Sequence, residues 1–113
     1  MKIPNAHGAV IEPVKLYGYL LSPSHSRGRF KATFFLALGY SVDNWARLAT
    51  DLRSQHLSQD ATLGERTRYG QKYEIRATLV GPAGRSAGVV SSWIVRLRKD
   101  FPRFVTAYPE GGR

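Results

Sequence analysis

Apolar residues recur at helical spacing through the first half of the chain and at every second position through the latter half. Pro13 after Glu12 suits the first turn of a helix, where its missing N–H is no loss, and Val14, Leu16, Tyr17, Leu20 and Leu21 supply an apolar side. Ser22-Pro23 ends that segment. A second helix is predicted to begin near Gly28 and stop at Gly39, with Lys31, Phe34, Phe35 and Leu38 on one stripe at the spacing i, i+3, i+4 and i+7. A lysine thus heads an apolar stripe. A third helix starts after Ser41, where Trp45, Leu48, Ala49, Leu52 and His56 repeat at helical spacing, and the polar SQDATLGERT then reads as a loop.

From residue 68 onward the period is two. Tyr73, Ile75, Ala77 and Leu79 alternate with Glu74, Arg76 and Thr78, the signature of a half-buried strand. GPAG supplies a turn. Ala87 to Arg96 contains VVSSWIV and suits a central strand covered on both faces, with Trp93 in the core. After a turn at RKDFP, Arg103 to Tyr108 forms a further strand whose alternation puts Phe104, Thr106 and Tyr108 on one face. The predicted architecture is a single α+β domain over 1–113. Two to three N-terminal helices (12–57) pack on a C-terminal antiparallel meander of three to four strands (68–109). The final EGGR reads as a frayed end.

At 113 residues the chain is long enough for one modest core, and its 42% hydrophobic and 22% charged composition is that of a folded protein. Charge changes the picture more. Seventeen Lys and Arg against eight Asp and Glu give a formal net charge of +9, which favours a polyanionic partner such as nucleic acid. Absence of cysteine excludes disulfides, thiolate metal sites and cysteine nucleophiles. No stretch is apolar enough to span a membrane, and MKIPNAHGAV lacks the apolar run of a signal peptide, so a cytoplasmic start is expected. The domain is either freestanding or one piece of a longer chain.

Several chemistries drop out on spacing. GPAGRSAG lies between strands, whereas a dinucleotide loop needs a helix after it, so a hairpin turn is the reading. His7, His25 and His56 are isolated from one another, which implies no bound metal and no cofactor. His56 at a helix end is expected to be structural. A set of basic and hydroxyl groups remains. His25 lies just before a helix N-terminus, where free N–H groups and the helix dipole favour an anion, with Arg27, Arg29 and Lys31 to reinforce it. An imidazole beside a phosphate suits metal-free RNA cleavage. One group deprotonates the 2′-hydroxyl, cations neutralise the phosphate, and another group protonates the leaving oxygen. The competing reading makes His25 a loop cap and leaves the arginines in solvent. Two roles are likewise open to Lys31: an apolar stem with a wet ammonium, or an ammonium delivered to phosphate. Tyr69, Thr106 and Tyr108 are sheet residues that double as phosphate ligands or base platforms, and Arg85 and Arg103 sit at strand ends within reach of a rim site.

The segments KIPNAHGAVIEPVKLYGYLLSPSHSRGRFKATFFLALGY, YGQKYEI, GPAGRSAGVVSSWIVR and FPRFVTAYP resemble an uncharacterised bacterial single-domain family. Its pattern runs asparagine-proline-x-histidine-proline, glycine, lysine-alanine, a late tryptophan strand and a closing threonine-x-tyrosine-proline. His25, Gly28, Lys31, Arg85, Trp93, Thr106, Tyr108 and Pro109 occupy the marked positions, while Ser22 and Ser26 replace the usual asparagine and second proline. Such domains in turn resemble the barnase, EndoU, colicin and RelE group of metal-independent ribonuclease toxins.

That resemblance implies His25 as acid or base, Lys31 and Arg85 as phosphate cations, and Thr106 and Tyr108 as positioning hydroxyls. Arg27, Arg29, Tyr69 and Arg103 would bind RNA, which lies across the sheet face opposite the helices. The expected function is a metal-independent endoribonuclease toxin acting on RNA, with tRNA and mRNA both open as targets. A small acidic antitoxin or immunity protein would restrain it, and no membrane is involved. The alternative is a non-catalytic module of a toxin–antitoxin locus that binds nucleic acid or a protein through the same basic face.

Overall fold

The computed structural model describes residues 1–111, so the last two residues of the EGGR tail lie outside the described residues. A helical layer comes first. The first helix, α1, runs as an α-turn over Pro13–Lys15 and continues as a π-helical turn over Leu16–Leu20. Its second half buries Leu16 and Leu20, whereas Val14 and Tyr17 face solvent. The second helix, α2, spans Arg29–Ala37 and ends at Gly39, whose φ of 103° only glycine adopts without strain. A Cβ at Gly39 would lie 2.6 Å from the Ala83 nitrogen, so this glycine also lets a hairpin dock on the helix end, where Ala83 N–H bonds the Leu38 carbonyl at 3.1 Å. The third helix, α3 (Trp45–Asp51), follows a 3₁₀ turn at Val42–Asn44 and runs on as a π-turn, Leu52–His56. Asn44 fixes its entry by accepting the Ser41 N–H at 2.7 Å and donating to the Gly39 carbonyl at 2.9 Å.

Four strands form one antiparallel meander in the order β1 (Thr62–Thr67), β2 (Gly70–Val80), β3 (Ser86–Arg96) and β4 (Pro102–Pro109). The α+β architecture is therefore the one expected, with two corrections. SQDATLGERT is not all loop: its second half is β1, an edge strand. It has no apolar alternation to announce it because its outward residues are mostly exposed and a bulge between Leu63 and Arg66 breaks the period. Phe104 does not share a face with Thr106 and Tyr108 either. Ser92 pairs with Thr106 but Trp93 pairs with Phe104, so Val105 is an extra residue that turns β4 over. Phe104 thereby packs edge-on against Trp93 in the core, at a centroid distance of 5.3 Å.

Tyr73, Ile75, Leu79, Val89, Trp93, Phe104 and Ala107 form the sheet's contribution to the core, and Leu16, Leu20, Phe35, Leu38, Leu48 and Leu52 close it from the helices. Full burial of each Val, Leu, Ile or Phe among these contributes about 1.5–3 kcal/mol. One polar chain threads this core. His56 Nε2 lies 3.2 Å from the Ala77 carbonyl, which can only accept, so Nε2 carries the proton. His56 Nδ1 then accepts the Ser91 hydroxyl at 2.7 Å, and Ser91 Oγ accepts Trp93 Nε1–H at 2.8 Å. His56 is structural, as expected.

Burial holds the His56 imidazole below its ordinary pKa, against a smaller opposing effect of the Ala77 carbonyl. Below about pH 6.5 the unfolded chain takes up a proton at this ring while the folded protein stays neutral, so stability falls with pH through that window. The urea midpoint should therefore drop between neutral pH and the folded-state pKa, and His56→Gln should flatten that drop.

Candidate active site

The stretch before α2 is built around His25. Its Nδ1 accepts two backbone N–H bonds, from Arg27 and Gly28, each at 3.0 Å. An amide N–H only donates, so Nδ1 carries the lone pair, the neutral ring holds its proton on Nε2, and His25 caps the turn that starts the helix. The ring stands edge-on to Tyr19 with centroids 5.0 Å apart. Gly28 is buried against the same residue: a Cβ there would fall 2.0 Å from the Tyr19 carbonyl oxygen. Its φ of −83° is ordinary, so what this position requires is space. The π-turn of α1 and the start of α2 thus meet at Tyr19.

Lys31 lies in the first turn of α2. It is half-buried, and its ammonium donates to Tyr19 Oη at 2.8 Å and to Thr106 Oγ1 at 3.1 Å, with Tyr19 Oη and Thr106 Oγ1 themselves 3.5 Å apart. Burial alone would raise the Tyr19 phenol, but its bonds to Lys31 and Thr106 and the charges of Lys31 and Lys15 outweigh that and lower it from its ordinary pKa. Thr106 belongs to the sheet face turned away from the core. Across that face the register aligns Thr106, Ser92 and Glu74 in one row and Tyr108, Val90 and Arg76 in the next. Tyr108 donates to Glu74 Oε2 at 3.1 Å, and Arg76 pairs with Glu74 Oε1 at 3.3 Å. Lys31, Glu74, Thr106 and Tyr108 line an open cleft of about 410 Å³.

The structure thus brings together Lys31, Thr106 and Tyr108, with His25 one ring away through Tyr19. Arg85 stays apart. It sits at the β2–β3 turn, five residues before Val90, the partner of Tyr108, or about 17 Å of strand away. Arg29 turns to the Ser26 carbonyl at 3.1 Å and over the Phe30 ring, and Arg27 is exposed in the capping turn. Tyr69 is exposed at the β1–β2 turn, and Arg103 pairs with Glu12 at 3.1 Å. Two members of the cleft region were not singled out from sequence: Tyr19, one aromatic among several in LYGYL, and Glu74, an unremarked polar partner in an alternating strand. Only the register that sets Glu74 across from Thr106 identifies it.

The arrangement places a fixed ammonium, a phenol of lowered pKa, two hydroxyls and a carboxylate around a solvent-open cleft on a sheet. Such a set can hold an anion, accept one proton and release another. Among the described residues no group of three or more His, Asp or Glu is placed to hold a metal ion, and no helix is long and apolar enough to cross a membrane. Residues 2–111 match a family described as a domain of unknown function, DUF6883. No curated protein matches the sequence. The fold is similar to that of a chain in a solved contact-dependent growth inhibition toxin–immunity protein complex from Klebsiella pneumoniae 342. The TM-score is 0.67 at 22% identity, over 95% of this chain and 97% of that one.

Proposed function

The chain belongs to the DUF6883 family, whose description assigns no activity, and from the chemistry of its cleft we propose that it is a metal-independent endoribonuclease toxin restrained by an immunity or antitoxin protein. The observation that carries this reading is the convergence of Lys31, Tyr19 and Thr106 from three separate elements beside the Glu74 carboxylate. Lys31 and Thr106 hold a phosphate of the RNA backbone. Glu74 accepts the 2′-hydroxyl proton, the 2′-oxygen attacks phosphorus, and the bond to the 5′-oxygen breaks as Tyr19 gives that oxygen its proton. The products are a 2′,3′-cyclic phosphate and a 5′-hydroxyl. A phenol of lowered pKa is a better acid for that last transfer, and the Lys31 ammonium offsets charge developing on phosphate. His25, with Nδ1 occupied by the helix turn, offers only its Nε2–H and acts as a donor and positioning group.

Fold likeness to a chain of a toxin–immunity complex supports the toxin reading, and a net charge of +9 favours the RNA-directed side of such a pair over an acidic inhibitor. Purified protein incubated with RNA in excess chelator should yield fragments ending in cyclic phosphate and leave DNA and 2′-O-methyl RNA intact. RNA left whole across varied substrates would sink the enzyme and favour the non-catalytic module. Because Tyr19 acts in its protonated form, cleavage should decline as pH rises through the phenol's lowered pKa. Tyr19→Phe should be slower and lose that alkaline limb, and an unchanged profile would remove Tyr19 as the acid.

A further inference from the structure

A second basic surface lies at the other end of the sheet from the β2–β3 hairpin. Pairing of Gly70 with Arg96, and a bond from the Leu97 N–H to the Tyr69 carbonyl at 3.0 Å, bring the β1–β2 and β3–β4 turns side by side. Those turns collect Arg66, Arg68, Arg96, Arg98 and Lys99, all exposed. Among the described residues none of these cations is ion-paired, whereas Lys2, Arg47, Arg76 and Arg103 elsewhere each have a carboxylate. Arg66, Arg96, Arg98 and Lys99 also line a cleft of about 330 Å³ between the two turns. Tyr69 is exposed beside them with the Arg68 guanidinium over its ring at 5.1 Å, a platform on which a base can stack.

The backbone at Arg98 points the same way. Its φ is 66°, a left-handed conformation that disfavours any residue with a Cβ and is met most easily by glycine or asparagine. An arginine at this position puts a positive charge where glycine would be less strained.

We propose that this turn pair is a docking surface for the RNA backbone, separate from the cleft at Lys31. Strand alternation connects the two. Arg96 shares a face with Ser92 on β3, and Lys72 shares it with Glu74 on β2, so these two cations lead from the Lys31 cleft to the sheet's end over about 13 Å of strand. The cleft between the turns, with Arg66, Gln71, Tyr73 and Val95, opens around that end on the opposite face. The exposed Arg68–Tyr69 platform, on which a base can stack, favours RNA over an acidic protein or an anionic bilayer. Only that choice of polyanion rests on the ribonuclease reading.

The test is binding of a fluorescent single-stranded RNA by anisotropy across a salt series, with Lys31→Met in every protein so that RNA is not consumed. Combined Arg66→Gln, Arg96→Gln, Arg98→Gln and Lys99→Gln should weaken binding about tenfold or more near 0.1 M salt and flatten the log–log salt slope by up to about 3. Arg98→Gly alone should weaken RNA binding while leaving the melting temperature equal or higher, an outcome that a purely structural arginine would not produce. RNA affinity and slope unchanged in the folded multiple variant would overturn the proposal. So would loss of binding to phosphatidylserine vesicles, or to an acidic polypeptide, with RNA binding retained. If the unmutated protein cuts no RNA yet the variants lose RNA binding, the ribonuclease reading falls and the docking surface stands.

Discussion

Replacing Lys31 with methionine should lower RNA cleavage by about 10²–10³-fold, roughly 2.7–4 kcal/mol of transition-state stabilisation. Methionine keeps much of the apolar stem that runs along α2 and removes only the ammonium, which bonds Tyr19 at 2.8 Å and Thr106 at 3.1 Å. Its loss acts twice. The phosphate loses its fixed cation, and the Tyr19 phenol loses the neighbour that lowers its pKa, so the proton donor weakens as well. Arginine is not expected to rescue, because a planar fork cannot replace a point charge held between two hydroxyls. Single-turnover kinetics and a thermal melt on the same samples decide the matter. A fall in kcat with little change in KM and an unmoved melt would mark a group acting in the transition state. A loss of less than about threefold, far below the magnitude expected of such a group, would take Lys31 out of the reaction.

Gly28→Ala should destabilise the fold by about 1–3 kcal/mol, enough to lower the melting temperature by several degrees, and should impair cleavage with it. The added methyl would lie 2.0 Å from the Tyr19 carbonyl oxygen and 2.8 Å from its carbonyl carbon. These are backbone atoms, and the same oxygen accepts the Ser22 N–H at 3.2 Å, so relief requires moving the first turn of α2. That turn contains Lys31 and follows directly on the Arg27 and Gly28 amides capped by His25. Stability and activity should therefore fall together here, unlike at Lys31. A variant as stable and as active as the parent would show that α2 can slide without disturbing the cleft.

Helical spacing made the helices legible because their apolar faces are paid by one continuous core: Phe35, Leu38, Leu48 and Leu52 stand where periodicity puts them. Trp93 and the central strand were legible for the same reason. β1 was not, because an exposed, bulged edge strand buries too little to impose a pattern. The site divides similarly. His25 and Lys31 stood out by charge placed against an apolar helix, while Glu74 and Tyr19 depend on register and on a contact between distant elements, neither of which local spacing encodes. Arg85 drew notice as a cation after a hairpin glycine, yet its strand carries it away from the cleft rather than toward it.

β4 reads its alternation in two frames. Before Val105 the even-numbered Phe104 faces the core, and after it the even-numbered Thr106 and Tyr108 face the cleft. Deleting Val105 would make Phe104 and Thr106 consecutive partners of Trp93 and Ser92, an uninterrupted strand with each side chain on its present face, whereas pairing Val105 into the ladder would send Thr106 and Tyr108 inward and Ala107 out. In that second arrangement composition, charge and length are the same, yet the chain loses either its wall or its chemistry. A single-residue deletion in β4 is thus mild at Val105 and severe at a paired position such as Ala107, where everything beyond it changes face.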